Sequence, residues 1–362
     1  MPSVSYKCPS CGGELEFRPD TQDFRCAYCL SAFTKEELDA LFAEMEAKAE
    51  QRGAEEAVKE KAEGTSAPDE GDFEGVAYTC PSCGAQVITD DTTAATFCYY
   101  CHNPVVLSGR LSGELKPERI IPFSIDKDSA QKEFLKWSRK KWFVPKDFHS
   151  RAQLEKITGL YIPFWITDHH IDASFAGTGN TVRVWRSGST EYTETKEYRV
   201  TRAGLVDVDS VPKVALQKAE EKLIDGIAPY DMGRATDFSM AYLSGFFAEK
   251  YDLGKETVEA DIRSQVTGYA EAILRDTVSG YNALRTDHSQ VNILDTRWHY
   301  TLLPTWMLTY QFKDKTYLYA LNGQTGKAYG ELPLSMKRLG ITFASLFAAV
   351  TGLLLLGGAF LW

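Results

Sequence analysis

Several signatures that would place this chain in a familiar enzyme class are missing. Its 362 residues contain no phosphate-binding Gly-rich loop, no nucleophile elbow and no His-Glu-x-x-His pair, so the commonest routes to phosphoryl transfer, acyl transfer and zinc proteolysis are not written in it. Histidine is scarce, at six residues, and four of these, His102, His149, His288 and His299, are scattered. Residues 76–109 hold no Lys or Arg at all, which argues against that stretch neutralising nucleic-acid phosphates. No apolar stretch follows Met1-Pro-Ser-Val-Ser-Tyr-Lys7, so no signal peptide is expected. Cysteine is absent outside four Cys-x-x-Cys pairs.

Those pairs are Cys8/Cys11, Cys26/Cys29, Cys80/Cys83 and Cys98/Cys101. Fourteen residues separate the pairs within each half, and the second half repeats the first 72 positions on, with Tyr6-Lys-Cys-Pro-Ser-Cys-Gly12 matching Tyr78-Thr-Cys-Pro-Ser-Cys-Gly84. A two-residue gap turns both sulfurs of a pair toward one cation, and the following glycine suits the strained backbone there. Two units of four cysteines therefore read as two zinc ribbons with rubredoxin-like knuckles, each closing one structural Zn2+. A four-thiolate site has no open position, so this zinc folds the chain and does not catalyse. Disulfides would demand an oxidising compartment, and a thioredoxin-like site would use one pair, not four in register.

Charge and hydropathy divide the rest. Residues 1–109 carry eight Lys/Arg against twenty Asp/Glu, a net of −12 out of the total −10, leaving +2 for residues 110–362. Residues 34–75 alone hold −9 and read as a helix opened by the capping box Thr34-Lys-Glu-Glu37, running into a self-repelling linker. At the other end, Leu339 to Trp362 are twenty-four residues without a charge. As a helix this is about 36 Å long, enough for a hydrocarbon core of ~30 Å. Lys337 and Arg338 precede it, so the positive-inside rule expects a single-pass tail anchor with the bulk of the chain in the cytoplasm.

The expected organisation is therefore multidomain: zinc ribbon 1 over 1–33, acidic helix and linker over 34–75, zinc ribbon 2 over 76–109, an α+β body with antiparallel sheet over 110–333, and a transmembrane tail over 334–362. Within the body, the alternation predicts strands at Ile120–Ile125, Tyr161–Thr167, Ile171–Phe175, Thr181–Trp185, Tyr192–Val200, Phe238–Phe247, Trp298–Tyr310 and Thr316–Leu321. It predicts helices from Asp126 or Asp128 to about Lys141, from Val211 to Ile224 and from Lys255 to Asp276, the last with Val258, Ile262, Val266, Tyr269 and Leu274 on its apolar face. The glycines of Gly177-Thr-Gly-Asn-Thr181 read as turn formers. Pro163-Phe-Trp165 and Pro304-Thr-Trp306, 141 positions apart, with Phe123-Ser124 and Phe238-Ser239, suggest an internal duplication.

The run Thr92–Gly113, with Phe143–Asp147, Arg183–Gly188 and Asn322–Lys327, resembles a family of bacterial membrane-anchored proteins labelled as carrying a zinc ribbon of the transcription-factor-IIB type. The resemblance implies the metal fold and little about activity.

Ribbon 1 has three basic residues against four acidic ones, and ribbon 2 none against two, so direct nucleic-acid binding is disfavoured despite Tyr99 and Tyr100, which could stack on bases. The cluster Lys136, Arg139, Lys140, Lys141 and Lys146 is the one basic patch, read as a solvated helix face or as a surface for lipid headgroups. Asp168-His-His-Ile-Asp172 is the best enzyme candidate, because alternation places Asp168, His170 and Asp172 on one face of a strand. The expectation is a membrane-anchored, non-catalytic zinc-ribbon adaptor that binds protein partners. A tethered nucleic-acid-binding protein and a metal-dependent enzyme around Asp168 and His170 are the alternatives.

Overall fold

A computed structural model describes residues 3–43, 76–141, 143–145, 148, 150–312 and 315–361, the last seven by backbone alone. The acidic linker from residue 44 onward, Lys146 and Trp362 lie outside the described residues.

The first cysteine unit is a three-stranded antiparallel sheet of β1 (Leu15–Arg18), β2 (Asp23–Cys26) and β3 (Ala32–Phe33). Beyond it the capping box forms as expected. Thr34 donates its N–H to Glu37 Oε2 at 2.9 Å, and the Glu37 N–H reaches Thr34 Oγ1 at 3.3 Å. The second unit contains the hairpin β4 (Val76–Thr79) and β5 (Gln86–Thr89), then β6 (Thr93–Phe97) and β7 (Pro104–Val106).

The body is built on a ten-stranded sheet that also takes in β6 and β7. Its strands are β8 (Arg119–Ile120), β9 (Thr158–Ser187), β10 (Thr190–Val214), β11 (Thr236–Asp237), β12 (Phe247–Glu249), β13 (Ala283–Phe312), β14 (Lys315–Asn322) and β15 (Ala328–Gly330). The helices are α1 (Lys127–Arg139), α2 (Arg151–Leu154), α3 (Glu221–Ile227), α4 (Lys255–Asp276) and α5 (Met336–Leu361). Most pairings are antiparallel, but β8 runs parallel to β13 and β12 parallel to β9, so the sheet is mixed.

Three strands dominate. β9 and β13 have 30 residues each and β10 has 25, and at about 3.3 Å per residue the longest trace nearly 100 Å of contour. The separate short strands expected at 161–167, 171–175 and 181–185 are one element. What looked like turns inside it are in-strand glycines. A Cβ on Gly177 would lie 2.4 Å from the Arg285 carbonyl and 2.7 Å from the Phe175 ring, and one on Gly179 would lie 2.7 Å from Tyr281. These residues are small because rings and backbone pack over them. The helix expected from Val211 is also corrected: β10 continues to Val214, and α3 begins at Glu221. The strand expected at Phe238–Phe247 is mostly a 3₁₀ turn, Met240–Leu243, between the short β11 and β12.

The main helices follow the sequence closely. Asp126 caps α1 by accepting the Ser129 N–H at 2.7 Å. On α4 the buried residues are Val258, Ile262, Val266, Ala270 and Leu274, a strict four-residue stripe in which Ala270 replaces the expected Tyr269.

The centre of the sheet has an exchange symmetry. Ile162 lies opposite Leu303, 141 positions on, flanked by Tyr161 opposite Pro304 and Pro163 opposite Leu302. Ile120 pairs with Leu302, while Ala248 pairs with Tyr161, so the outer partners differ by 128 positions. The same offsets recur in two indole hydrogen bonds. Trp165 Nε1 donates to the Leu253 carbonyl and Trp306 Nε1 to the Ile125 carbonyl, both at 2.9 Å. The N-caps of α1 and α4, Asp126 and Gly254, also stand 128 apart.

Packing crosses the boundaries between the cysteine units and the body. Leu15, Phe17 and Phe24 belong to the same buried cluster as Tyr242 and Phe246, with the Phe17 and Tyr242 rings 5.1 Å apart and edge-on. The Phe17 N–H donates to the Ser244 carbonyl at 3.1 Å, and Gln22 Nε2 reaches the Phe123 carbonyl at 2.8 Å. On the other side β6 pairs with β12, and Phe97 meets Phe247 at 5.2 Å.

Helix α5 is long and apolar enough to cross a membrane, and none of Met336–Leu354 is buried against the rest of the chain. Ile341, Phe343, Leu346, Phe347 and Leu353 are exposed on it.

Candidate metal centres

Four knuckles with one geometry hold the cysteines. In each, the residue after the pair donates its N–H to the carbonyl of the first cysteine: Gly12 to Cys8 at 2.8 Å, Leu30 to Cys26 at 3.1 Å, Gly84 to Cys80 and His102 to Cys98 at 2.9 Å. All four adopt left-handed backbone, with φ of +74°, +63°, +75° and +59°. That conformation opposes a Cβ by about 1–2 kcal/mol, so glycine at two knuckles is the relaxed choice, and Leu30 and His102, both exposed, keep it through the N–H bond to the first cysteine. His102 is thus a backbone residue of the knuckle.

The knuckles converge in pairs. Cys8, Cys11, Cys26 and Cys29 form one group and Cys80, Cys83, Cys98 and Cys101 another, with the four sulfurs of each within 4.8 Å of one another. Cys8 Sγ lies 3.5 Å from Cys29 Sγ and Cys11 Sγ 3.5 Å from Cys26 Sγ; the corresponding distances to Cys80–Cys101 and Cys83–Cys98 are 3.7 Å. A disulfide needs about 2.05 Å, and all eight cysteines are free. The first cysteine of each pair is buried, and the second faces outward or is half-buried.

Crowding spreads the acidities of these sulfurs. The Ser31 hydroxyl, 3.3 Å from Cys29 Sγ, and the Ser31 amide bring Cys29 down to about 6. Burial and neighbouring thiols push Cys101 up to about 12. Four thiols competing for protons in so small a space are a donor set suited to a single soft cation, which would hold them all as thiolates.

The two centres are joined through Glu14. Its buried carboxylate accepts from Ser5 Oγ in its own unit, and from Ser82 Oγ at 2.8 Å and Asn103 Nδ2 at 3.1 Å in the other. Ser82 lies inside the Cys80–Cys83 knuckle, and Asn103 closes the Cys98–Cys101 knuckle through its carbonyl, which accepts the Cys98 N–H at 2.9 Å. The sequence offers no signal for this link beyond a carboxylate in an alternating strand.

Each second knuckle projects aromatic or apolar side chains into solvent. Tyr28 is 75% exposed and Leu30 61%, while Tyr99 and Tyr100 are 71% and 72% exposed. Tyr28 and Tyr100 stand 72 positions apart and so occupy the same place in the two units.

The alternative centre around Asp168 and His170 divides into separate contacts. Asp168, His170 and Asp172 share a face of β9, as alternation requires. Asp168 accepts the Ser210 N–H at 2.7 Å and lies 3.5 Å from His299 Nε2, whose Nδ1 is 2.8 Å from Glu118. His170 Nδ1 instead pairs with Asp207 at 2.6 Å, and Asp172 is exposed. Among the described residues, only the two four-cysteine groups bring three or more potential ligand atoms together. His169, on the opposite face, is buried between Thr167 Oγ1 at 2.8 Å and Thr296 Oγ1 at 3.1 Å.

No family model matches the chain, and no solved structure matches it. It is similar to the uncharacterized protein YdjG of Bacillus subtilis (strain 168), with 31% identity over 367 residues that span 99% of each chain. Identity at that level along the whole of both chains makes this protein a member of the YdjG family.

Proposed function

We propose that the chain is a non-catalytic adaptor anchored in a membrane by α5, with two zinc-ribbon modules whose second knuckles bind a protein partner. The observation that carries this reading is the repeated pair Tyr28 and Tyr100, exposed at equivalent places in surroundings poor in Lys and Arg. Exposed tyrosines are frequent anchors of protein interfaces. Nucleic-acid stacking by the same rings would need cations nearby; the second unit has none, and of the three in the first, Lys7, Arg18 and Arg25, Arg18 is paired with Asp20 at 2.9 Å.

Zinc is the metal this reading assigns. A tetrahedral site with Zn–S near 2.3 Å places its sulfurs about 3.8 Å apart, close to the 3.5 and 3.7 Å separations of both groups. Filled by four thiolates, such a site keeps no position for substrate, so its role is folding. Lys337 and Arg338 at the start of α5 support an orientation with the modules on the cytoplasmic side. The exchange symmetry about Ile162 and Leu303, together with the matched Trp165 and Trp306 bonds, supports an origin of the body by duplication of a strand, helix and long-strand unit.

Metal analysis of the purified chain is expected to give two zinc ions per molecule. Capture from native membranes is expected to return a discrete protein. Retention of the chain on DNA or RNA, weakening steeply with salt, would overturn the protein-binding reading.

A further inference from the structure

The end of α1 and the start of α5 are about 195 residues apart in sequence, yet the fold joins them. The Ser335 N–H donates to the Phe143 carbonyl at 2.7 Å, and Arg338 Nη1 donates to the Val144 carbonyl at 2.7 Å, with Val144 buried. The segment that follows α1 thus clamps the first turn of the apolar helix. Immediately before the clamp, Arg139, Lys140 and Lys141 are exposed, and Lys337 is exposed beside Arg338 on α5. Arg139, Lys140, Lys141 and Lys337 form no ion pair with a described residue. The nearest acidic side chain on α1, Glu133, is engaged by Lys136 at 3.2 Å. One cation near the end of α1 serves the partial negative charge of the helix terminus, and three in succession exceed that need.

Apolar side chains share the surface. Leu334 and Met336 are exposed on either side of Ser335, and Leu339 follows on the helix. A surface with exposed Leu and Met beside a ring of Lys and Arg, placed where an apolar helix departs, matches the boundary between acyl chains and headgroups. Lys315, at the turn between β13 and β14, extends the rim but is already paired with Glu331 at 3.3 Å.

We propose that Arg139, Lys140, Lys141, Lys337 and Arg338 form a binding surface for anionic phospholipid headgroups in the leaflet where α5 enters. This rests on the reading of α5 as a membrane span. The attraction is electrostatic, worth roughly fivefold in affinity for each cation near an anionic surface, and it fades with salt. It fixes the basal end of the body against the bilayer. The hairpin tip at Gly188, between β9 and β10, lies at the other end of the long strands.

The test reconstitutes the full chain in phosphatidylcholine vesicles containing a minor share of phosphatidylglycerol and measures association of spin-labelled phosphatidylglycerol relative to spin-labelled phosphatidylcholine. The expected ratio is several-fold above one at low salt, falling toward one at high salt. It should also fall in an Arg139→Gln, Lys140→Gln, Lys141→Gln variant whose tryptophan fluorescence matches the parent. A ratio of one in the parent, or a ratio unchanged in the variant, overturns the headgroup surface. Flotation with vesicles of phosphatidylcholine alone, after an alkaline wash, separately tests the span. Flotation only when phosphatidylglycerol is present would uphold the surface and overturn the anchor, and flotation with neither vesicle would overturn both.

Discussion

Stripping the metals should melt the body along with the cysteine modules. Structural zinc contributes on the order of 10 kcal/mol to the folding of a small thiolate module, so a chelator is expected to unfold the first module outright. Leu15, Phe17 and Phe24 would then leave the cluster they share with Tyr242 and Phe246. At about 1.5–3 kcal/mol for each large apolar side chain, the body loses roughly 5–9 kcal/mol, comparable with the whole net stability of a typical domain, about 5–15 kcal/mol. At about 2–4 °C per kcal/mol for a body of this size, its melting point should fall by roughly 10–35 °C. Two signals separate the parts. Six of the seven tryptophans lie between positions 137 and 306, the seventh being Trp362 at the end of the tail, while all eight cysteines lie before position 102, so the change in indole fluorescence follows the body and thiol reactivity follows the modules. In the detergent-solubilised chain, chelation should expose eight thiols and shift the fluorescence melt together. Eight reactive thiols with an unmoved fluorescence melt would refute the shared core. Phe17→Ala is the companion perturbation: it should retain both metals yet destabilise the body by about 3–5 kcal/mol.

Three further outcomes follow from the geometry. Trp165→Phe and Trp306→Phe each remove one indole N–H from a carbonyl at 2.9 Å; each should cost about 1–3 kcal/mol, similar in size if the two halves are equivalent, as denaturant midpoints would measure. A Cβ on Gly84 meets nothing within 4 Å, so Gly84→Ala should cost only the left-handed backbone term, about 1–2 kcal/mol, while His102→Gly should be neutral or stabilising in the same assay. Burial lowers the pKa of His169. The unfolded imidazole takes up its proton near 6.5 and the folded one only at lower pH, so stability should fall as pH drops below ~6.5 by at most about 1.4 kcal/mol per unit from this group. Urea midpoints at pH 7 and pH 5.5 should therefore diverge less in His169→Gln than in the parent.

The sequence exposes the parts of this fold that depend on short-range spacing. The cysteine register, the Thr34 capping box, the Asp126 cap and the α4 stripe are all local, and each stands where local spacing places it, save that Ala270 and not Tyr269 completes the stripe. The long strands are hidden for a physical reason. β9 leaves the covered part of the body after Thr167, where one face turns to small and polar residues such as Asp172, Ser174 and Thr178, and Gly177 and Gly179 imitate turn signals while leaving room for Phe175 and Tyr281. Strand pairing, not side-chain hydropathy, keeps that region extended. The join between modules and body is equally silent. Phe17 and Phe24 lie between the knuckles of a small cysteine unit, and nothing local tells that Tyr242 packs against them. At the candidate centre the ligands are legible from spacing alone, whereas the Glu14 bridge and the left-handed roles of Leu30 and His102 require the fold. Alternation grouped Asp168 and His170 on one face correctly, but their partners, His299 and Asp207, come from neighbouring strands.

The central claim is that the two second knuckles recognise a protein, and Tyr28 and Tyr100 test it most directly. Both are exposed, so Tyr28→Ala with Tyr100→Ala should leave metal content and melting unchanged. Interface tyrosines of this kind contribute about 2 kcal/mol or more, roughly thirtyfold in affinity for each. Affinity capture of the anchored chain from its own membranes should recover a partner that the double variant loses. Undiminished recovery by the double variant, with both metals in place, would contradict the account.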